Sequence, residues 1–77
     1  MPTVFRIDGF RFFFFSDEHT PMHIHVEKAD GYMRIELETL KVTQRQNLTN
    51  SDERKAIAIV KEHHDQFIGA WNEYFNR

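Results

Sequence analysis

Eleven residues, Asp17-Glu18-His19-Thr20-Pro21-Met22-His23-Ile24-His25-Val26-Glu27, hold three histidines and three carboxylates. His23 and His25 are two apart, so on a strand their imidazoles point the same way. Imidazole changes charge near neutral pH, and in its neutral form it is the commonest metal ligand. One chemistry open to such a set is metal-independent, acid-base cleavage of RNA. His23 or His25 would serve as base or acid, with Glu27 or Tyr32 as proton partner. Arg6, Arg11 or Arg34 would hold the phosphate, and an aromatic ring would stack a base. Another is metal binding: His23 and His25 converge on one zinc, nickel or iron ion, with His19 or Glu27 as third ligand. The bland alternative is that histidines near carboxylates make charge-assisted hydrogen bonds that hold a loop, on a face that binds a protein.

The elements that position these residues follow from side-chain periodicity. Thr3 to Ile7, Asp8-Gly9 and Phe10 to Ser16 read as a hairpin, because Asp-Gly supplies the positive φ angles of a two-residue turn. The turn sets Ile7 against Phe10, Arg6 against Arg11, Phe5 against Phe12 and Val4 against Phe13. Ser16 to Met22 is expected to be a loop. A second hairpin runs from His23 to Lys28, turns around Ala29-Asp30-Gly31, and returns from Tyr32 to Leu37. Residues 39–48 fit either a connector or a short strand. From about Asn50 the period becomes helical, with Thr49 or Ser51 as N-cap and Asp52 and Glu53 in the first turn. Ile57, Val60, His64, Phe67, Trp71 and Tyr74 or Phe75 form one stripe. A straight helix over residues 49–76 would overhang a strand of seven residues, which favours a bend or break near His63 to Asp65 or Gly69. The expected fold class is α+β. A four-stranded antiparallel sheet of two hairpins, order 1-2-3-4, is packed on one face by a long or broken C-terminal helix.

Alternation then sorts the faces. Phe5, Ile7, Phe10, Phe12 and Phe14 go under the helix. The reverse face collects Arg6, Arg11, Phe13, Phe15, His23, His25, Glu27, Tyr32, Arg34, Glu36 and Glu38. Arg6 and Arg11 oppose one another directly and repel unless a glutamate neutralises them or an anion is gripped between them. Phe13 and Phe15 on a solvent face mark either a covering element or a partner surface. His64 lies on the helix stripe and reads as a packed, hydrogen-bonded core histidine.

Composition narrows the classes. The chain has 77 residues, no cysteine and a formal net charge of -2. This length makes one domain over residues 1–77 and leaves no room for a second core. Without cysteine there is no disulfide, thiol nucleophile or thiolate zinc site, and a reducing, cytoplasmic address is expected. No leader pattern is present, and the run Phe12 to Phe15 is too short to span a bilayer. The net negative charge lowers affinity for RNA, whose binding is driven by cations.

The opening Met1-Pro2-Thr3-Val4-Phe5-Arg6-Ile7-Asp8-Gly9-Phe10-Arg11-Phe12 resembles that of a widespread set of small bacterial proteins. The run His19-Thr20-Pro21-Met22-His23-Ile24-His25-Val26 and the closing Ala70-Trp71-Asn72 are similar to it as well. That set is the family known as domain of unknown function 4160. Met22 stands where the family pattern has a second proline. The resemblance implies a component of a bacterial toxin–antitoxin or similar two-gene module, encoded beside another small protein, and it carries over no catalytic residue. Taken with the residues, it favours a non-catalytic component that binds this protein partner through the open sheet face. Arg6, Arg11, Phe13, Phe15, Tyr32 and Arg34 are its binding residues. The alternatives are RNA cleavage by His23, His25 and Glu27, and a divalent metal held by His19, His23 and His25. A cofactor is otherwise not expected. RNA or a second copy of the chain are the other partners considered, and a membrane is not.

Overall fold

The computed structural model describes residues 3–15 and 21–75. Five strands and two helices follow in chain order: β1 (Thr3–Ile7), β2 (Phe10–Phe13), β3 (His23–Lys28), β4 (Gly31–Glu36), β5 (Val42–Gln46), α1 (Asn50–Glu62) and α2 (His64–Phe75). The strands form one antiparallel sheet in the order β1-β2-β3-β4-β5. Both expected hairpins form, but the sheet has five strands rather than four, because residues 42–46 pair with β4.

Asp8 and Gly9 both take positive φ, 54° and 84°, as the two-residue turn requires. The pairs Ile7 with Phe10, Arg6 with Arg11 and Phe5 with Phe12 form as expected. Phe13 however pairs with Thr3, not Val4, because a bulge lies between Thr3 and Phe5. The extra residue lets Val4 and Phe5 both pack against the core, which strict alternation would forbid. A second bulge, between the pairs Arg34–Gln44 and Ile35–Val42, interrupts β5. Each free edge of the sheet therefore carries an irregularity, which disfavours edge-to-edge pairing with another strand.

The link from β4 to β5 is a tight loop of five residues, 37–41. Leu40 N–H donates to the Glu36 carbonyl (2.9 Å), and Glu36 N–H donates to the Lys41 carbonyl (2.9 Å). Leu40 takes a φ of 60° there, a conformation a leucine adopts at a cost.

The core lies between one sheet face and the helices. Phe10, Phe12, Phe14, Ile24, Val26, Met33, Ile35 and Leu37 meet Ala56, Ile59, Val60, Phe67 and Trp71. Phe12 stacks on Phe67 with ring centroids 5.4 Å apart. Thr49 caps α1, its hydroxyl accepting from Asp52 N–H at 3.0 Å. The expected break falls at His63, whose φ of -107° and ψ of 26° leave the helical region and separate α1 from α2. Gly69 does not interrupt α2. His64 begins α2 half-buried and donates from Nε2 to the Leu37 carbonyl, in line with its expected packed role.

Lys28 ties the end of β3 to the first turn of α1 by donating to Asp52 Oδ1 at 3.1 Å. That hydrogen bond lowers the Asp52 pKa from its ordinary value. A carboxyl with a depressed folded pKa adds stability above its unfolded pKa and loses it as pH falls through the folded value. The loss is thus expected below about pH 4, the ordinary aspartate range. In Lys28→Met the Asp52 carboxyl resonance should titrate at higher pH than in the wild type. An unchanged midpoint would show that Lys28 does not hold it down.

Candidate functional site

The reverse face of the sheet is assembled by register. One row across the strands reads Arg6, Arg11, Glu27, Tyr32, Gln46. The next reads Thr3, Phe13, His25, Arg34, Gln44, and a third pairs His23 with Glu36. The expected residues Arg6, Arg11, Phe13, His23, His25, Glu27, Tyr32 and Arg34 thus share one face. Phe15, two residues along the same strand direction, reaches it too, with its ring centroid 4.5 Å from that of His25.

Their exposure differs from expectation. Phe13 is 3% exposed, His23 2% and His25 5%. They are buried although Phe13 lies outside the main core cluster, so a second, smaller layer of rings sits on the reverse face. The His25 imidazole is layered between Phe13 (5.4 Å, 25°) and Tyr32 (5.8 Å, 24°). Phe15 closes on Phe13 and His25 edge-on, and remains 40% exposed. Phe13 is therefore a packing residue, and among the described residues Phe15 is the most exposed phenylalanine of this face.

Hydrogen bonds fix the imidazoles. His23 Nδ1 lies 2.8 Å from the Pro21 carbonyl, and since a carbonyl only accepts, Nδ1 carries the hydrogen. His25 Nδ1 and the Tyr32 hydroxyl share a hydrogen bond of 2.6 Å, and that hydroxyl donates to Gln44 Oε1 at 3.4 Å. Glu27, expected as an acid-base partner of the histidines, is instead taken by Arg11 at 2.8 Å. Arg11 also donates to Thr3 Oγ1 at 3.0 Å, and its guanidinium lies 4.3 Å from the Phe13 ring centroid. Glu27 thus relieves the repulsion between Arg6 and Arg11.

The metal reading needs three ligands on one point. His23 and His25 do share a face, with ring centroids 5.0 Å apart. Of the two expected third ligands, Glu27 is held by Arg11, and His19 lies outside the described residues. Among the described residues no group of three His, Asp or Glu side chains is placed to hold a metal ion.

Three participants were not read from the sequence. Gln44 and Gln46 enter the face from β5, the strand that alternation did not resolve. Trp71, read as a helix-stripe residue, also reaches the rim of this face, 5.2 Å from the His23 ring centroid. α2 therefore flanks His23, and among the described residues no helix covers the rest of the face.

A family model described as a domain of unknown function, DUF4160, matches residues 9–72. The chain belongs to the DUF4160 family. The matched span contains the histidines, Arg11, Glu27, Tyr32, Arg34 and Trp71, so the ring layer and its flanks lie within the DUF4160 domain. No curated protein and no solved structure matches the chain. Among the described residues of this DUF4160 chain, no helix is long and apolar enough to cross a membrane.

Proposed function

We propose that this DUF4160 protein is a binding component of a bacterial two-gene module of the toxin–antitoxin kind, acting in the cytoplasm. Its partner is the small protein encoded beside it, and the contact surface is the helix-free face of the sheet. The observation that carries this reading is Phe15, a phenylalanine 40% exposed at the edge of a buried ring layer. An exposed aromatic backed by rigid rings is a good anchor, because little side-chain freedom is lost when a partner covers it. Arg6, Tyr32 and Arg34 lie on the same face and supply polar groups suited to an interface rim.

Co-expression with the neighbouring gene and size-exclusion chromatography test the proposal. A complex of fixed stoichiometry is expected for the wild type, and Phe15→Asp should weaken it by 10-fold or more, about 1.4 kcal/mol. Two free proteins in the wild-type experiment would overturn the proposal.

Metal-independent RNA cleavage is the second reading, and the short His25–Tyr32 hydrogen bond beside Arg34 is what favours it. It predicts RNA breakdown by the purified protein in the presence of a chelator, lost in His25→Ala. The burial of His23 and His25 weighs against it, since a general acid or base must reach substrate within hydrogen-bond distance.

A further inference from the structure

Arg34 lies at the middle of the reverse face, between His25 on β3 and Gln44 on β5. Among the described residues it forms no ion pair with any carboxylate. Its Nε is cut off from solvent and has no hydrogen-bond acceptor. Buried donors are matched in the great majority of cases, and an unmatched donor on a charged group is the costliest kind. Arg11, on the same face, shows the contrast: Glu27 and Thr3 satisfy it.

Gln44 supplies a second donor beside Arg34. Its Oε1 accepts from the Tyr32 hydroxyl, which leaves the amide N–H groups as its remaining hydrogen-bonding capacity. Tyr32 is itself tied to His25, so Gln44 is oriented from beneath by the buried ring layer.

We propose that Arg34 and Gln44 form an anion receptor for a carboxylate, the side chain of an aspartate or glutamate on the partner protein. The proposal rests on the reading that this face binds a protein and names the group recognised. Nε has no exposed surface, so the carboxylate meets the terminal Nη1 and Nη2 edge of the guanidinium with two parallel hydrogen bonds, and the neighbouring amide adds a third donor. Charge supports one carboxylate rather than a nucleic-acid backbone. Arg6 and Arg34 are the arginines of this face without a carboxylate partner among the described residues, and they stand three strands apart, roughly 14 Å. Glu36 shares the face with them. Such a spacing tracks no run of phosphates, whereas a single acidic side chain suffices to engage Arg34.

The test follows the Nε–H resonance of Arg34 by NMR in the full chain. The probes are a capped peptide with one glutamate among apolar residues, the same peptide with glutamine, inorganic phosphate, and a short single-stranded RNA. The glutamate peptide should shift the resonance saturably, and the glutamine peptide should bind at least 10-fold more weakly. Arg34→Gln should lose at least 10-fold in affinity for the glutamate peptide, and Arg34→Lys should recover only part of it. Equal binding of the two peptides, a stronger response to phosphate or RNA, or no response to any probe would overturn the proposal. An Arg34→Gln protein that still forms the wild-type complex, where Phe15→Asp does not, overturns the carboxylate receptor and leaves the partner reading standing. Failure of the wild type to form that complex overturns the partner reading itself.

Discussion

Phe12→Ala is expected to cost about 3–5 kcal/mol of folding stability, the range for emptying a buried phenylalanine site. Phe12 is fully buried, and its ring meets Phe5 at 6.2 Å, Phe10 at 6.2 Å and Phe67 at 5.4 Å. It therefore joins β1, β2 and α2 through one side chain. Removing it leaves a cavity that three rigid rings cannot collapse into. A domain of this size has only about 5–15 kcal/mol of net stability, so much of the population should unfold at modest urea concentration. Ile7→Ala is the control. Ile7 is 36% exposed at the end of the first hairpin, and its loss should cost well under half as much. Urea titrations of the two variants check the pair. Similar midpoints would show that the core is not centred on Phe12.

Gly31→Ala should destabilise by about 1–3 kcal/mol, the ordinary cost of forcing extra volume into a packed site. A Cβ on Gly31 would lie 2.2 Å from Leu48 Cδ2 and 2.7 Å from the Asn47 carbonyl oxygen. Leu48 can swing aside, but the Asn47 carbonyl is backbone, and Asn47 is fixed at a φ of 55°. The clash pushes apart the start of β4 and the turn that leads from β5 into α1. Gly69→Ala makes the opposite prediction. No atom lies within 4 Å of a Cβ there, and alanine is the better helix former by about 1 kcal/mol, so stability should rise. Thermal unfolding distinguishes them, since about 1 kcal/mol moves the midpoint by about 4–8 °C in a domain of this size. A Gly31→Ala protein as stable as the wild type would contradict the close approach of these segments.

The first hairpin was legible because Asp8-Gly9 names its own turn and the turn then sets the pairing. The bulge at Val4 was not, since two adjacent apolar residues can be read as one in and one out. β5 was obscured for a different reason. It is an edge strand in which only Val42 packs on the core, so Thr43, Gln44, Arg45 and Gln46 carry no alternation to detect. Its entry loop depends on Leu40 in the left-handed region, where no glycine or asparagine announces a turn. The break at His63 was anticipated from helix length rather than from a breaker residue, for neither glycine nor proline stands there.

The face itself followed from alternation, whereas its burial did not. Alternation says which side a residue takes, and exposure depends on what its neighbours across the strands are. Phe13, His25 and Tyr32 sit on three successive strands, so their rings stack and exclude water from a side that pattern alone marks as half-exposed. Arg34 shows the limit in the other direction. Nothing in the sequence separates it from Arg11, yet Arg11 has Glu27 as its cross-strand neighbour and Arg34 has His25 and Gln44.

Amide hydrogen exchange on the complex with the neighbouring gene product tests the central claim most directly. Partner binding through the helix-free face predicts slowed exchange around Phe15 and along β3 and β4, with α1 and the far side of α2 unchanged. Slowing confined to the two helices, with the sheet unaffected, would contradict it.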